Sequence, residues 1–237
     1  MSDSPATLYL DTASPQVSVA IADPAHGGVE ATVLAQRTIE LRRSSEHLLR
    51  VIEEALEEAQ RTQRDLTGVV ALQGPGSFTG LRIGLATALG LHQALAIRAT
   101  ALPTLSVLAA AAGPGPGDLV AAVDAIRGEW AIRTFNAMQG LDATGPNTAG
   151  PHAAQPERLS AAELLQRSPE RIVGFGVTAL AEVPGWPERG IELIEPPPLA
   201  PVAARHLTPE TIDWDPARLT APIYFRPPAV TPPKKRR

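Results

Sequence analysis

The segment 69–96 constrains the fold more than any other, because it joins an apolar run, a glycine-rich loop and an almost uncharged helix. Val69–Leu72 has the continuous apolar character of a buried strand. The sequence GPGSFTG at 74–80 is too rich in glycine and proline to continue either element, and it predicts a tight loop. From Thr79 onward, spacings of three and four residues predict a helix with one apolar stripe, formed by Leu81, Leu85, Ala88, His92 and Leu95.

A strand, a glycine loop and a helix N-terminus form an anion-binding arrangement, because free backbone N–H groups and the helix dipole point at the loop. The loop with Gly74, Gly76 and Ser77 lacks the Lys-Ser/Thr ending of a P-loop and the glycine spacing of a dinucleotide site. It also lacks the Gly-x-Ser-x-Gly pattern of a nucleophile elbow. The residues alone support an anion-facing loop and a purely structural turn equally.

The helix after the loop has a second apolar face, formed by Ile83, Ala86, Thr87, Gly90 and Ala94, and Arg82 is its only charged residue. A helix that is apolar all round is expected to be covered on more than one side. Glycine inside a helix costs about 1 kcal/mol relative to alanine, so Gly90 indicates a packing requirement. Either another helix of this chain or a second subunit is expected to cover this face.

Composition excludes several classes of protein. The 237 residues are 44% hydrophobic and 19% charged, as in soluble globular domains. The formal net charge of −4 argues against a broad basic face for nucleic acid. There is no cysteine, hence no disulfide framework and no thiol catalysis. With acidic Asp3 near the start and no basic-then-apolar segment, we expect no signal peptide and a cytoplasmic location.

The first half of the chain predicts a ribonuclease-H-like lobe. Apolar alternation predicts strands near 7–10, 17–21 and 32–41, followed by an amphipathic helix at 45–60. After the segment 69–96 comes a further strand near 96–101 and then a helix, Leu105–Ala112. Asp11 and Thr12 lie at the turn between the first two strands, which resembles the first phosphate-binding hairpin of the actin, hexokinase and Hsp70 type of ATPase. The alternative is that Asp11 only accepts hydrogen bonds from the turn.

The second half repeats the pattern of a strand, an aspartate, a turn and a second strand after a break at Gly113–Gly117. A strand at 119–123 ends in Asp124, and a second strand follows at 130–135. Residues 139–157 are predicted to be a loop, and shorter elements follow, with helices at 161–166, 177–182 and 200–207 and a strand at 172–175. We therefore predict a first lobe at 1–112, a smaller second lobe at 113–226 and a basic, proline-rich tail at 227–237.

The sequence GPGSFTGLRIG, preceded by a buried strand, resembles the TsaB family (also called YeaZ). The segment from Asp124 to Glu129 and APIYFR at 221–226 are similar to later motifs of that family. The resemblance implies an α/β protein with a two-lobed actin/hexokinase/Hsp70-like (ribonuclease-H-like) fold and a reduced second lobe. Two positions depart from the family pattern: Ser44 replaces a histidine and Ile126 replaces an arginine. The His-x-x-x-His metal pair of the catalytic paralogue TsaD is absent from this sequence.

What the resemblance implies is a non-catalytic subunit in the threonylcarbamoyl modification of the adenosine next to the anticodon of tRNA. Its implied partners are a TsaD homologue and a TsaE homologue, a second copy of itself when alone, and tRNA only through the complex. We expect no cofactor and no metal of its own; ATP or ADP with Mg at the complex interface is the alternative. The implied nucleotide-facing loop is vestigial and consists of Asp11, Thr12, Gly74, Gly76 and Ser77. The implied partner interface is Leu48, Ile52, Leu56, Ile83, Ala86, Thr87, Gly90 and Ala94.

Two enzymatic readings remain as alternatives. One is an independent ATP-dependent phosphotransferase that uses Asp11, the Ser77 loop and Asp124 around Mg-ATP. The other is a glycoprotease-like peptidase, against which the absent histidine pair argues. ATP turnover by the purified chain would support the first, and protein cleavage would support the second.

Overall fold

The computed structural model describes residues 5–23, 31–40, 44–125, 128–135, 156–206 and 212–225. The first lobe is a five-stranded sheet in the order β3-β2-β1-β4-β5, in which β1, β2 and β3 are antiparallel and β4 and β5 run parallel to β1. The strands are β1 (Ala6–Asp11), β2 (Gln16–Asp23), β3 (Thr32–Glu40), β4 (Leu66–Gly74) and β5 (Arg98–Pro103). The helices of this lobe are α1 (Ser44–Glu58), α2 (Phe78–Leu95) and α3 (Thr104–Ala112).

The second lobe repeats the first in shorter form. Its sheet has the order β10-β9-β6-β7-β8, with β6, β7 and β8 antiparallel and β9 and β10 parallel to β6, which is the same topology. The strands are β6 (Leu119–Asp124), β7 (Glu129–Phe135), β8 (Glu157–Ser160), β9 (Arg171–Val173) and β10 (Glu192–Ile194). Two helices follow within this half of the chain, α4 (Ala161–Arg167) and α5 (Leu199–His206). The two-lobed, ribonuclease-H-like fold is therefore confirmed.

Three apolar layers hold the two sheets. One face of the first sheet packs on α1 and α2. Its other face, with Tyr9 and Leu72, packs on α3 and α5, which also contact Ala121 of the second sheet. The far face of the second sheet packs on α4 around Ile132 and Leu164. Because α3 and α5 lie between the sheets, burial on both sides explains why both helices are so rich in alanine, leucine and valine.

The C-terminal part of the chain differs from the predicted division at 113–226. The backbone N–H of Ala200 in α5 donates to Ser18 Oγ of β2 at 3.0 Å, and a 3₁₀ turn at Pro216–Thr220 contacts β5 and α2. Residues 199–206 and 216–220 thus pack against the first lobe, where α5 covers one apolar face of the first sheet together with α3.

The sequence pattern did not predict two of the strands. Strand β8 begins at Glu157, inside the stretch predicted to be a loop, and its sequence ERLS has no apolar alternation. Strand β10 is three residues long, too short for a periodic signal. Residues 136–155 and 226–237, with most of the predicted loop and the basic tail, lie outside the described residues. No helix within the described ranges has the length and apolar character needed to cross a membrane.

Candidate functional site

The turn after β1 is held by Asp11. This residue ends the strand, and its side chain is fully buried. Its Oδ1 accepts hydrogen bonds from the backbone N–H groups of Ala13 at 2.9 Å and Ser14 at 3.2 Å. Asp11 therefore has the structural role of an acceptor for turn N–H groups, which the sequence left as one of two alternatives.

The glycine loop after β4 packs directly on this turn. The N–H of Ser77 donates to the carbonyl oxygen of Ala13 at 2.8 Å, and a Cβ on Gly76 would lie 2.4 Å from that same oxygen. Ser77 then caps α2, with Oγ accepting from the N–H of Gly80 at 3.2 Å and its carbonyl oxygen from Leu81 at 2.8 Å. The N–H groups of Ser77 and Gly80, two of the four that a helix N-terminus leaves free, are thus already used within the chain.

A third glycine, at position 84, completes this packing, and the sequence analysis did not identify it. A Cβ on Gly84 would lie 2.1 Å from Thr12 Oγ1, and the Thr12 side chain is buried. Gly76 lies in the loop before α2, and Gly80 and Gly84 lie one turn apart within it; this repeated four-residue spacing is the signal that would have predicted a close approach of another element. Thr12, Gly76 and Ser77 therefore form one local cluster with Asp11.

A cavity of about 520 Å³ lies beside this cluster, between the two lobes. The first lobe contributes Ser77 and Thr104, and the second contributes Asp124 and Phe175. In the part of the chain that the structure describes, Gly76 and Ser77 line the cavity, whereas the predicted Asp11, Thr12 and Gly74 do not. The aromatic side chains of Phe78, Phe175, Tyr224 and Phe225 also line it and were missed, because they come from three distant points in the chain.

Burial dominates the chemistry of the Asp11 carboxyl group. Removal from water raises its pKa to about 6, and hydrogen bonds from Ser14 and Ala13 only partly oppose this rise. Oδ2 has no hydrogen-bond partner among the described residues. As placed, Asp11 does not fit the metal-facing role that the resemblance to the ATPase fold implies. Among the described residues, no three histidine, aspartate or glutamate side chains are grouped closely enough to hold a metal ion.

The raised pKa predicts a pH-dependent stability. Because the pKa of Asp11 is about 6 in the folded chain and 3.8 as its reference value, the native state holds this proton more tightly. Protonated Asp11 therefore contributes about 3 kcal/mol to the free energy of unfolding. This contribution is fully present below about pH 4 and is lost as the pH rises through 6. Asp11→Asn should therefore unfold at higher urea than the parent chain at pH 7.5, with the difference vanishing near pH 4.

Asp65→Asn is the control for this pH series. Hydrogen bonds from Thr62 lower the pKa of the exposed Asp65. Ionised Asp65 therefore stabilises the folded chain above the unfolded pKa, and this stabilisation is lost as the pH falls. The two variants should change the pH profile in opposite directions. An Asp11→Asn profile parallel to that of the parent chain would contradict the buried, uncompensated carboxyl group.

The outward face of α2 is uncovered. Leu81, Leu85 and Ala88 are buried against the sheet, as predicted. On the opposite side Ala86, Gly90 and Ala94 are exposed, and Ile83 and Thr87 are half-buried. No heavy atom of the described residues lies within 4 Å of the position that a Cβ of Gly90 would take. The described part of this chain therefore offers no packing reason for Gly90.

The predicted interface residues on α1 are placed differently. Leu48, Ile52 and Leu56 are 3%, 4% and 3% exposed and form the chain's own core, so the prediction that they contact a partner is wrong. Their periodicity reflects packing on the first sheet, and burial and partner contact produce the same apolar stripe in a sequence. Leu49, beside this stripe, is 61% exposed. The side chain of Ser44 and residues 126–127, the departures from the family pattern, lie outside what the structure describes.

Comparisons with known proteins identify the family. Residues 32–173 match the family model described as "TsaD: tRNA N6-adenosine threonylcarbamoyltransferase". The chain is 27% identical over 187 residues to the Escherichia coli tRNA threonylcarbamoyladenosine biosynthesis protein TsaB, covering 78% of this chain and 75% of that protein. The chain belongs to the TsaB (YeaZ) branch of this family.

Two further proteins are similar to this chain. An uncharacterized protein of Mycobacterium tuberculosis is 33% identical over 207 residues, covering 84% of this chain and 90% of its own length. A crystal structure of a Pseudomonas aeruginosa protein, described as similar to peptidase YeaZ, is 26% identical with a TM-score of 0.51, covering 66% of this chain and 67% of that one. The fold expected of the TsaB family is thus the fold of this chain.

Proposed function

We propose that this chain is a non-catalytic subunit in the synthesis of threonylcarbamoyladenosine in tRNA. In this proposal it binds a TsaD homologue, which carries out the transfer, and through it a TsaE homologue. tRNA is contacted through the assembled complex, in keeping with a net charge of −4. When the partner is absent, a second copy of the chain occupies the same surface.

The uncovered face of α2 is the observation that carries the proposal. Ala86, Gly90 and Ala94 follow one another at four-residue spacing, so they form a single ridge along the helix. Small side chains on such a ridge allow another helix to approach closely. No described element covers the position of a Cβ at Gly90, so such an approach is open there. Ile83 and Thr87 lie on the neighbouring row of the helix and are half-buried, and Ile83 packs against the chain's own core.

The cluster around Asp11 supports the non-catalytic half of the proposal. A nucleotide-hydrolysing site of this fold needs a carboxylate that reaches the metal and loop N–H groups that reach the phosphates. Asp11 is fully buried, and the N–H groups of Ser77 and Gly80 donate within the chain. Gly76 and Ser77 of the glycine loop pack the start of α2 against the turn after β1.

The test is a charge on the ridge. Ala94→Glu should leave the isolated chain folded, because Ala94 is exposed, but it should weaken binding to the TsaD homologue by at least about 100-fold, or about 2.7 kcal/mol. Binding is measured by isothermal titration and by co-elution of the two purified proteins. Modification of tRNA by the reconstituted complex should fall in parallel.

Ala162→Glu is the matched control, since Ala162 is an exposed alanine on α4 of the other lobe. It should leave both binding and tRNA modification unchanged. Equal binding by the Ala94→Glu and parent chains would refute the ridge as the interface. The purified chain alone should show no ATPase, peptidase or tRNA-modifying turnover; turnover that disappears in Asp11→Ala would instead support one of the two enzymatic alternatives.

A further inference from the structure

The last described residues of the chain, Ala221–Phe225, cross from one lobe to the other. They leave the 3₁₀ turn at 216–220, which packs on α2 and β5 of the first lobe. They end beside β8, the edge strand of the second lobe, where Arg158 Nη2 donates to the carbonyl oxygen of Phe225 at 3.4 Å. Both five-stranded sheets are formed without residues 221–225, so the crossing is not needed to build either sheet.

The first lobe holds this segment by backbone and side chain. The N–H of Ile223 donates to the carbonyl oxygen of Gln73 at 2.7 Å, and a Cβ on Gly74 would lie 2.5 Å from the carbonyl oxygen of Ile223. The rings of Tyr224 and Phe78 are 4.9 Å apart between centroids. Arg82 lies 4.3 Å above the Phe78 ring, and its Nε donates to the Tyr224 hydroxyl oxygen at 3.3 Å. The segment is thus fixed to the end of β4 and to the first turn of α2.

The second lobe holds the same segment through Arg158. Its guanidinium lies 4.8 Å from the centroid of the Phe225 ring, in addition to the hydrogen bond to the Phe225 carbonyl oxygen. Tyr224 and Phe225 both line the cavity between the lobes. The residues that bridge the lobes are therefore also the residues that close one side of the cavity.

We infer that residues 221–225 form a latch, which holds the two lobes in one relative orientation and forms one wall of the cavity between them. The lobes are also joined covalently by residues 113–118 and 195–198, which connect β6 to α3 and β10 to α5, and both sheets pack on α3 and α5. The latch adds contacts on the cavity side, where they oppose a hinge motion that would separate the lobes. Release of the latch widens the cavity.

The absence of cysteine from the chain makes the latch directly measurable. Gln63 in the first lobe and Gln166 in the second are exposed and lie outside the latch and the α2 ridge. The substitutions Gln63→Cys and Gln166→Cys therefore introduce one labelling site in each lobe. Spin labels on both, diluted with unlabelled chain so that distances within one molecule dominate, report the separation of the lobes. The parent latch should give one narrow distance distribution, and Tyr224→Ala with Phe225→Ala should broaden it and shift it to longer distances.

Arg158→Ala is the milder variant, because this side chain is half-exposed and its loss should leave the fold intact. It should broaden the distribution in the same direction, whereas Arg189→Ala, at an exposed arginine elsewhere in the second lobe, should leave it unchanged. A folded double variant with the parent distribution would overturn the latch. If the double variant does not fold, an unchanged distribution in Arg158→Ala overturns it. The measurement needs no partner, so its outcome is independent of the proposed function.

Discussion

Gly84→Ala should destabilise this chain by about 3 kcal/mol, although alanine is the better helix former. The added Cβ would lie 2.1 Å from Thr12 Oγ1, and 3.2 Å from both Cβ and Cγ2 of the same residue. Thr12 is 1% exposed, so it has no free space into which to move. Because Asp11 and Thr12 belong to one turn, displacement of Thr12 also disturbs the bonds that Asp11 accepts. Urea unfolding at pH 7.5, followed by circular dichroism, measures the change.

Gly90→Ala is the matched control on the same helix. The space around a Cβ at Gly90 is open among the described residues, so this substitution should stabilise the isolated chain by about 1 kcal/mol through helix propensity. Thr12→Ala combined with Gly84→Ala should recover part of the loss, since it removes the hydroxyl group that clashes. Equal and small effects of the two glycine substitutions would contradict the close packing of α2 on the turn.

Arg171→Met should also lower the free energy of unfolding by about 3 kcal/mol. Arg171 is 6% exposed, and its guanidinium donates to the carbonyl oxygens of Ala112 at 2.8 Å and Gly113 at 3.3 Å. Its Nε also pairs with Glu192 at 3.1 Å. Methionine fills a similar volume but leaves the two carbonyl oxygens at the end of α3 without this donor. The lost bonds join β9 to the connection between the lobes.

Arg167→Met provides the comparison for this change in charge. Arg167 pairs with Glu157 on the surface, where both side chains are substantially exposed, so its replacement should change stability by less than about 1 kcal/mol. Both variants are measured by urea unfolding at one ionic strength. An effect of Arg171→Met no larger than that of Arg167→Met would show that the buried guanidinium is not what joins β9 to the connection.

Apolar periodicity predicted the well-buried strands of the two lobes but not the short ones. Strands β1, β2, β4 and β6 have strong apolar patterns, because each contains four or more consecutive buried residues. Their order along the chain, with α1, α2 and α3 between or after them, was sufficient to predict a duplicated ribonuclease-H-like fold. Strands β8 and β10 were missed because pairing with a neighbouring strand, and not local composition, makes a polar four-residue or a three-residue segment extended.

Some features of the candidate site were also predictable from the sequence, and others were not. The motif at 74–84 identified the family, and the apolar second face of α2 was visible in the sequence. The same reasoning assigned Leu48, Ile52 and Leu56 to a partner surface, because a sequence does not distinguish side chains buried in the chain's own core from those buried by another chain. For Ala86, Gly90 and Ala94 the structure leaves that second surface open.

The sequence by itself determined the fold class, the family and the order of the main elements, since these follow from local periodicity and from a long contiguous motif. Only the tertiary structure placed the Asp11 side chain in a fully buried turn, because this burial depends on α2 packing against the turn after β1. It also decided that residues 221–225 bridge the lobes, since Gln73, Phe78 and Arg158 come together with Tyr224 and Phe225 only when the chain is folded. Contacts between such distant residues depend on the path of the whole chain and leave no periodic trace in it.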